Sequence, residues 1–351
     1  MWMYVLLILL PAIVCCYRPA GQLPGKAKRY SVTLFFLILL LMVSCRAINV
    51  GTDTASYRSI FYRFAGQSFR QVLQYKEPAF SLLCKLISCF TMNCQVMFIV
   101  SALISLLPIL FLYREEIEYP VLTMALFVTM PTFCFLFSGI RQAIAIGLGV
   151  IAFDFVRKKK LLPFALTVAL AFLFHRSAFI LALMYPAYHI RLKKESLIFI
   201  VPILALIFIF NRQIFSFLRM LLRSYEGIKN VYTGQVTMLI LFVLFSIFSF
   251  FIVRDSELDA DTMGMRNFLL LITAIQMFAP LNTLAMRMGY YYQIFLPIAI
   301  PKVIACRDNR LRYIAKLALV IMTVFFLTRF FLIEPKKNPL NIFPYQFFFG
   351  N

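Results

Sequence analysis

The sequence predicts an all-α protein, a polytopic transmembrane helical bundle of about 12 spans, and three observations carry that reading. The chain is 62% hydrophobic and 14% charged, with a mean hydropathy of +0.87, too little charge to wet a soluble domain. Apolar runs of membrane-spanning length recur from end to end. Those runs lack the period-2 alternation of barrel strands, and in hydrocarbon only helices or closed barrels satisfy the backbone.

In order, the spans fall near 1–16, 31–48, 95–113, 119–137, 138–156, 161–174, 177–190, 196–211, 236–253, 267–281, 289–305 and 313–332. Residues 1–16 have the apolar character of a signal peptide. They are read as the first span because no basic stretch precedes them and no small-residue cleavage site follows. Several spans fall short of the roughly 20 residues of a straight crossing, including the pair flanking His175. The segment 78–92 is different: Pro78 opens it, Lys85 interrupts it and it is brief, which suits an interfacial or re-entrant helix. No soluble region, linker or internal repeat interrupts the pattern, so 1–351 reads as a single integral membrane domain.

Orientation follows from four short basic connections: Arg18 to Arg29, Arg157 to Lys160, Arg191 to Lys194, and Lys302 to Lys316. With 78–92 not crossing, all four share one side, which the positive-inside rule makes cytoplasmic. Both termini and the connections 49–77 and 212–235 then lie outside. The net charge of +21 would suggest nucleic acid in a soluble chain, but here these loops absorb roughly half of the basic residues, and no nucleic-acid partner is expected. The outer connection 212–235 still carries Arg212, Arg219, Arg223 and Lys229 against Glu226 alone, which a polyanion at the outer leaflet would explain. Eight cysteines show no metal-ligand spacing and read mainly as small hydrophobes; a disulfide among Cys84, Cys89 and Cys94 is the lesser reading.

Four polar constellations fall on the outer face. Gly51-Thr52-Asp53 can turn the chain into a short helix through Arg63, with Thr52 or Asp53 as its N-cap and Tyr57, Phe61 and Phe64 on one face. Asp53 reads either as that cap or as a carboxylate beside a substrate hydroxyl. Ser138-Gly139-Ile140-Arg141-Gln142 opens a span, with Ser138 as cap and Arg141 in the first turn, where an anion is favoured. Arg141 reads as an anion site or as a structural ion pair, and Gly139, Ala143 and Gly147 form a stripe for close helix packing. Phe174-His175-Arg176-Ser177 makes a corner whose imidazole suits a general base, a phosphate hydrogen-bond donor or a packed cap. Finally, Arg287 precedes Tyr290, Tyr291 and Tyr292, which are either interfacial anchors or sugar-stacking rings beside a phosphate-binding arginine.

In this order the constellations resemble the EpsG family of exopolysaccharide and O-antigen polymerases, Wzy-like membrane proteins, over most of the chain. The carriers are Gly51, Asp53 and Tyr57, then Ser138 to Gln142, then His175-Arg176-Ser177, then Arg287 with its tyrosines, and an aromatic tail containing Pro344 and Tyr345. The resemblance implies a polymerase of lipid-linked repeat units at the outer face of the bacterial cytoplasmic membrane. An acceptor sugar hydroxyl attacks an undecaprenyl-pyrophosphate-linked oligosaccharide and the lipid pyrophosphate leaves. Arg141, Arg287 and Arg176 would answer the leaving charge, His175 or Asp53 would take the proton, and Tyr57, Tyr290 and Tyr291 would face sugars. No cofactor, metal or nucleotide-sugar site is implied; a chain-length regulator and a repeat-unit flippase are the implied partners. A lipid-linked-glycan flippase would instead place its cations midway across the bilayer. A membrane acyltransferase would open inward, and an O-antigen ligase usually carries a larger outer loop.

Overall fold

The computed structural model describes residues 1–16, 24–116, 118–222, 236–251, 258–305 and 309–349. Its helices are α1 (Trp2–Cys16), α2 (Pro24–Ser44), α3 (Thr54–Ala65), α4 (Phe69–Leu73), α5 (Pro78–Ser88), α6 (Cys94–Glu116), α7 (Pro120–Thr129), α8 (Pro131–Phe135), α9 (Ile140–Arg157) and α10 (Leu161–Phe174). There follow α11 (Met184–His189), α12 (Leu197–Ile209), α13 (Asn211–Leu222), α14 (Thr237–Phe251), α15 (Ala260–Gln276), α16 (Thr283–Met288), α17 (Tyr290–Gln293), α18 (Leu296–Ala305), α19 (Asn309–Leu332) and α20 (Glu334–Lys337). Among the described residues the only extended pairing is an isolated bridge between Arg46 and Phe347.

The all-helical expectation holds, whereas the count of about 12 full crossings does not emerge from helix length. Gly25–Ser44, Cys94–Glu116 and Tyr313–Lys337 are long and apolar enough to cross, and Lys194–Ile209 with Asn211–Phe217 forms a pair bent by 75°. Of the other expected spans, 138–156 is the unbroken α9 of 18 residues, which carries Arg141, Asp154 and Arg157; the rest are short or broken helices, and proline is one cause. Pro131, which has no amide hydrogen to donate, starts a new helix and splits the expected 119–137 span at Met130. The expected 177–190 span is a 3-10 turn over Arg176–Leu183 followed by α11. Helix α5 has 11 residues, about 16 Å of rise against a hydrocarbon layer of about 30 Å, too short for a straight crossing, as are the apolar helices α1, α7 and α10.

The chain divides into two compact units, Met1–Ala182 with Leu317–Asn351, and Leu183–Lys316. In the first, α9 is buried along most of its length between α6 and α10, while α2 packs on α1 and α6. Gly147 makes the α6 contact close: a Cβ there would lie 2.6 Å from the Ile104 carbonyl oxygen and 2.7 Å from Ser105 Cα. The Tyr4 ring meets Phe133, Phe137, Phe330, Phe343 and Tyr345, and its hydroxyl donates to the Ile342 carbonyl at 2.7 Å. The start of α1, the corner before α9 and the C-terminal tail therefore meet at one end of this unit. At the other end of α9, Arg157 pairs with Glu116 at 2.6 Å.

The tail is a strap along 45–52. The amides of Gly51 and Thr52 donate to the carbonyls of Asn341 and Leu340 at 2.8 and 3.1 Å, Ala47 N donates to Gln346 O at 2.9 Å, and Phe348 N to Cys45 O at 3.0 Å. Tyr345 anchors it through a 2.9 Å bond to the Met42 carbonyl. Cys84, Cys89 and Cys94 are free thiols, Cys84 lying 3.6 Å from the Met97 sulfur, so no disulfide joins them.

In the second unit α15 packs on α14, α11 and α18. Arg266 lies 4.0 Å over the Phe250 ring and donates to the Leu192 carbonyl at 2.6 Å. Asn267 donates to the Ala187 and Ile190 carbonyls, closing the 183–192 corner onto α15. The connection 212–235, expected on the outer side, begins within the helix α13. The expected charges Arg223, Glu226 and Lys229, like Arg18 and Arg307 of the basic loops, lie outside the described residues.

Candidate functional site

The site is built where the motif loop meets the start of α9. Gly51 has φ +89°, and a Cβ there would run into the Phe137 carbonyl, so the turn requires glycine. The chain then enters α3, whose Tyr57, Phe61 and Phe64 turn inward while Arg58 and Tyr62 stay exposed, the face the sequence predicted. The expected caps are not made. Asp53 occupies the N-cap position of α3 without a side-chain cap, and Gly139 rather than Ser138 is the N-cap residue of α9. The Ser138 hydroxyl is instead 2.5 Å from Thr52 Oγ1 and accepts from the Asp53 amide at 3.3 Å. A serine hydroxyl that accepts from a neighbouring loop no longer serves its own helix, and here it ties two constellations together.

The charged centre is Glu77, which the sequence reading did not single out. It stands immediately before Pro78, the first residue of α5. One carboxylate oxygen, Oε2, forms an ion pair with Arg141 Nη1. The other, Oε1, lies 2.7 Å from His175 Nδ1 and accepts from the Arg176 amide at 3.2 Å. His175 has extended backbone (φ −154°, ψ 119°) between α10 and the following 3-10 turn, which brings its ring back onto Glu77. Arg176 Nε donates to the Lys76 carbonyl at 3.1 Å. Arg141 Nε also donates to the Tyr57 hydroxyl at 3.3 Å, and its guanidinium lies 5.6 Å over the Tyr57 ring. Tyr57 is itself buried edge-on against Phe80 of α5.

Burial alone would raise the Glu77 carboxyl, but the hydrogen bond and charge of His175, the Arg141 guanidinium and the Arg176 amide together hold it below the usual glutamate value. A carboxylate on Nδ1 favours a ring proton there in either charge state, so that in the neutral ring Nε2 is the basic nitrogen. Arg141 is not consumed by its partners, since 38% of its side-chain surface remains exposed, against 11% for Glu77 and 25% for His175. The half-buried Asp53 carboxylate makes no hydrogen bond or ion pair among the described residues.

Three of the four constellations thus converge in the first unit: the Gly51–Asp53 loop with Tyr57, the Ser138–Arg141 turn, and His175 with Arg176. Both readings of Arg141 have a counterpart, an ion pair with Glu77 and a remaining exposed face. Arg287 lies in the last turn of α16, and Tyr290 and Tyr291 open α17 as buried residues, all in the second unit. Among the described residues no three His, Cys, Asp or Glu side chains gather as a metal site requires.

A family model described as the EpsG family matches residues 29–347. No curated protein and no solved structure matches the chain.

Proposed function

The chain belongs to the EpsG family, and from that premise, which points to a membrane polysaccharide polymerase-like role, we propose that it polymerises lipid-linked oligosaccharide repeat units at the outer face of the bacterial cytoplasmic membrane. The observation that carries the reading is the Glu77 carboxylate bridging His175 and Arg141, a base candidate and a cation held together by one acid. In the proposed step the acceptor sugar hydroxyl gives its proton to His175 Nε2 while its oxygen bonds to the donor's anomeric carbon. The bond from that carbon to the pyrophosphate oxygen breaks, and undecaprenyl pyrophosphate leaves with the electron pair. Negative charge grows on that oxygen, and a fixed cation at such a point is among the larger catalytic effects. Arg141, with an exposed face in the first turn of α9, is assigned to it, with Arg176 and Arg287 as further pyrophosphate ligands. Asp53 is the alternative proton acceptor or an orienting group for a sugar. Tyr57 steadies Arg141 as well as bordering the sugar site, and Tyr290 and Tyr291 are assigned to sugar. Neither a metal nor a nucleotide sugar enters this scheme; a flippase would supply the repeat unit and a separate regulator would set chain length.

The test is polysaccharide analysis in cells whose only copy carries a substitution. Arg141→Ala and Arg287→Ala are expected to abolish long polymer while the single lipid-linked repeat unit accumulates. Normal polymer length in both variants sinks the pyrophosphate assignment, and full activity in His175→Ala moves the base role to Asp53.

A further inference from the structure

Arg46, just past the end of α2, is 1% exposed, and an arginine remains charged in a protein interior. Two of its nitrogens are engaged: Nη1 with the Val43 carbonyl and Nε with Thr54 Oγ1 at 3.3 Å. The Phe98 ring lies 4.7 Å below the guanidinium. Nη2 is buried without a hydrogen-bond partner among the described residues, and so is the Ser101 hydroxyl of α6. Both residues line one cavity of about 10 Å³, walled by Phe98, Leu136 and Ala143, with Ser105 Oγ already donating to the Ser101 and Ala102 carbonyls. Among the described residues no carboxylate pairs with Arg46. A buried cation lacking a counter-charge is costly, and a space of this size suits one water-sized centre. Two donors of which one is charged, in a cavity too small for phosphate, select a single compact acceptor.

We propose that this cavity is a binding site for one monatomic anion, chloride in the cell, held by Arg46 Nη2 and the Ser101 hydroxyl. It is separate from the Glu77 cluster and does not depend on the polymerase reading. Its consequence is structural: the anion neutralises the cation that fastens Thr54, the first residue of α3, and so secures the motif loop. Binding to the folded state alone raises the unfolding midpoint with ligand concentration.

The experiment is thermal unfolding of the detergent-purified full chain in sodium bromide, chloride or gluconate at equal ionic strength. Halide is expected to raise the midpoint relative to gluconate. With a net charge of +21 a general salt effect is expected too, so the deciding measurement is the halide increment in Ser101→Ala, which keeps the cation, and in Arg46→Met, which removes it. The increment should shrink in Ser101→Ala and vanish in Arg46→Met. If Arg46→Met does not fold, Ser101→Ala decides alone. An equal midpoint in halide and gluconate identifies the occupant as water, and an undiminished increment in Ser101→Ala places the halide effect elsewhere; either overturns the proposal.

Discussion

At the scale of single residues, Glu77 concentrates the consequences. Replacing it with alanine leaves Arg141 and His175 without their shared acceptor. Because Arg141 keeps 38% of its side chain exposed, the destabilisation should fall below the 3–5 kcal/mol of a fully buried pair, at about 1–3 kcal/mol. The folded-state carboxyl sits below its ordinary value, so its contribution is present above the normal glutamate range near 4.3 and is lost as pH falls through the lowered value. Unfolding midpoints of wild type and Glu77→Gln should therefore draw together as pH falls from 7 through that lowered value; a gap that does not narrow as pH falls argues against the linkage. Glu77→Gln keeps the shape but removes the charge, and it should lower polymerisation in membranes by about 100-fold, within the usual range for impairing a general base. As a positioning effect it should also alter the pH–rate profile, with partial rescue by Glu77→Asp; an unchanged profile leaves Glu77 a purely structural role. The sequence made His175 and Arg141 visible because each is chemically unusual for its surroundings. Glu77 carried a weaker signal, one acid before a proline in a chain with 35 basic and 14 acidic residues, and its choice of partners is set only when α5, α9 and α10 come together.

At the scale of elements, hydropathy located most helices because burial in lipid is written into composition, and α10 matches its expected bounds of 161–174. What composition does not encode is where a helix breaks or what a tail pairs with. The strap over 45–52 is held largely by backbone bonds, which any sequence can donate, with side-chain bonds from Tyr345 and Asn341 added, so only the aromatic content of the tail hinted at it. Its bonds to Gly51 and Thr52 hold the loop that Ser138 also grips. A chain ending at Asn338 should insert and accumulate yet make no long polymer, and supplying normal polymer from that variant would detach the strap from function. Gly147 makes a complementary case. Its missing Cβ would meet backbone atoms of α6, which cannot swing aside as a side chain can. Gly147→Val should cost about 1–3 kcal/mol through overpacking, seen as a lowered unfolding midpoint, whereas Gly25→Val, with nothing within 4 Å, should leave it nearly unchanged.

At the scale of the whole molecule, the geometry of α9 turns orientation into a sharp question. Its first turn carries Arg141 at the Glu77 cluster, and its last residue, Arg157, leads into Lys158, Lys159 and Lys160. The start of α1 and the C-terminal strap gather at the Arg141 end through Tyr4, Ile342 and the 45–52 loop, the arrangement expected if both termini share a face with the motif loop. The 18 residues of α9 rise about 27 Å, close to the hydrocarbon thickness, so its two ends should emerge in different compartments. Four consecutive basic residues should hold their end in the cytoplasm, which sends the Glu77 cluster outside, where lipid-linked repeat units would be joined. A membrane-impermeant thiol reagent applied to intact cells, with native cysteines removed, should label Ser56→Cys on the exposed start of α3 and reach Lys159→Cys only after permeabilisation. Labelling of both in intact cells would mean that α9 does not cross. The reverse pattern would place the cluster in the cytoplasm, where an acceptor glycan on the outer leaflet cannot reach it, and the polymerase proposal would fail on geography before any residue was tested.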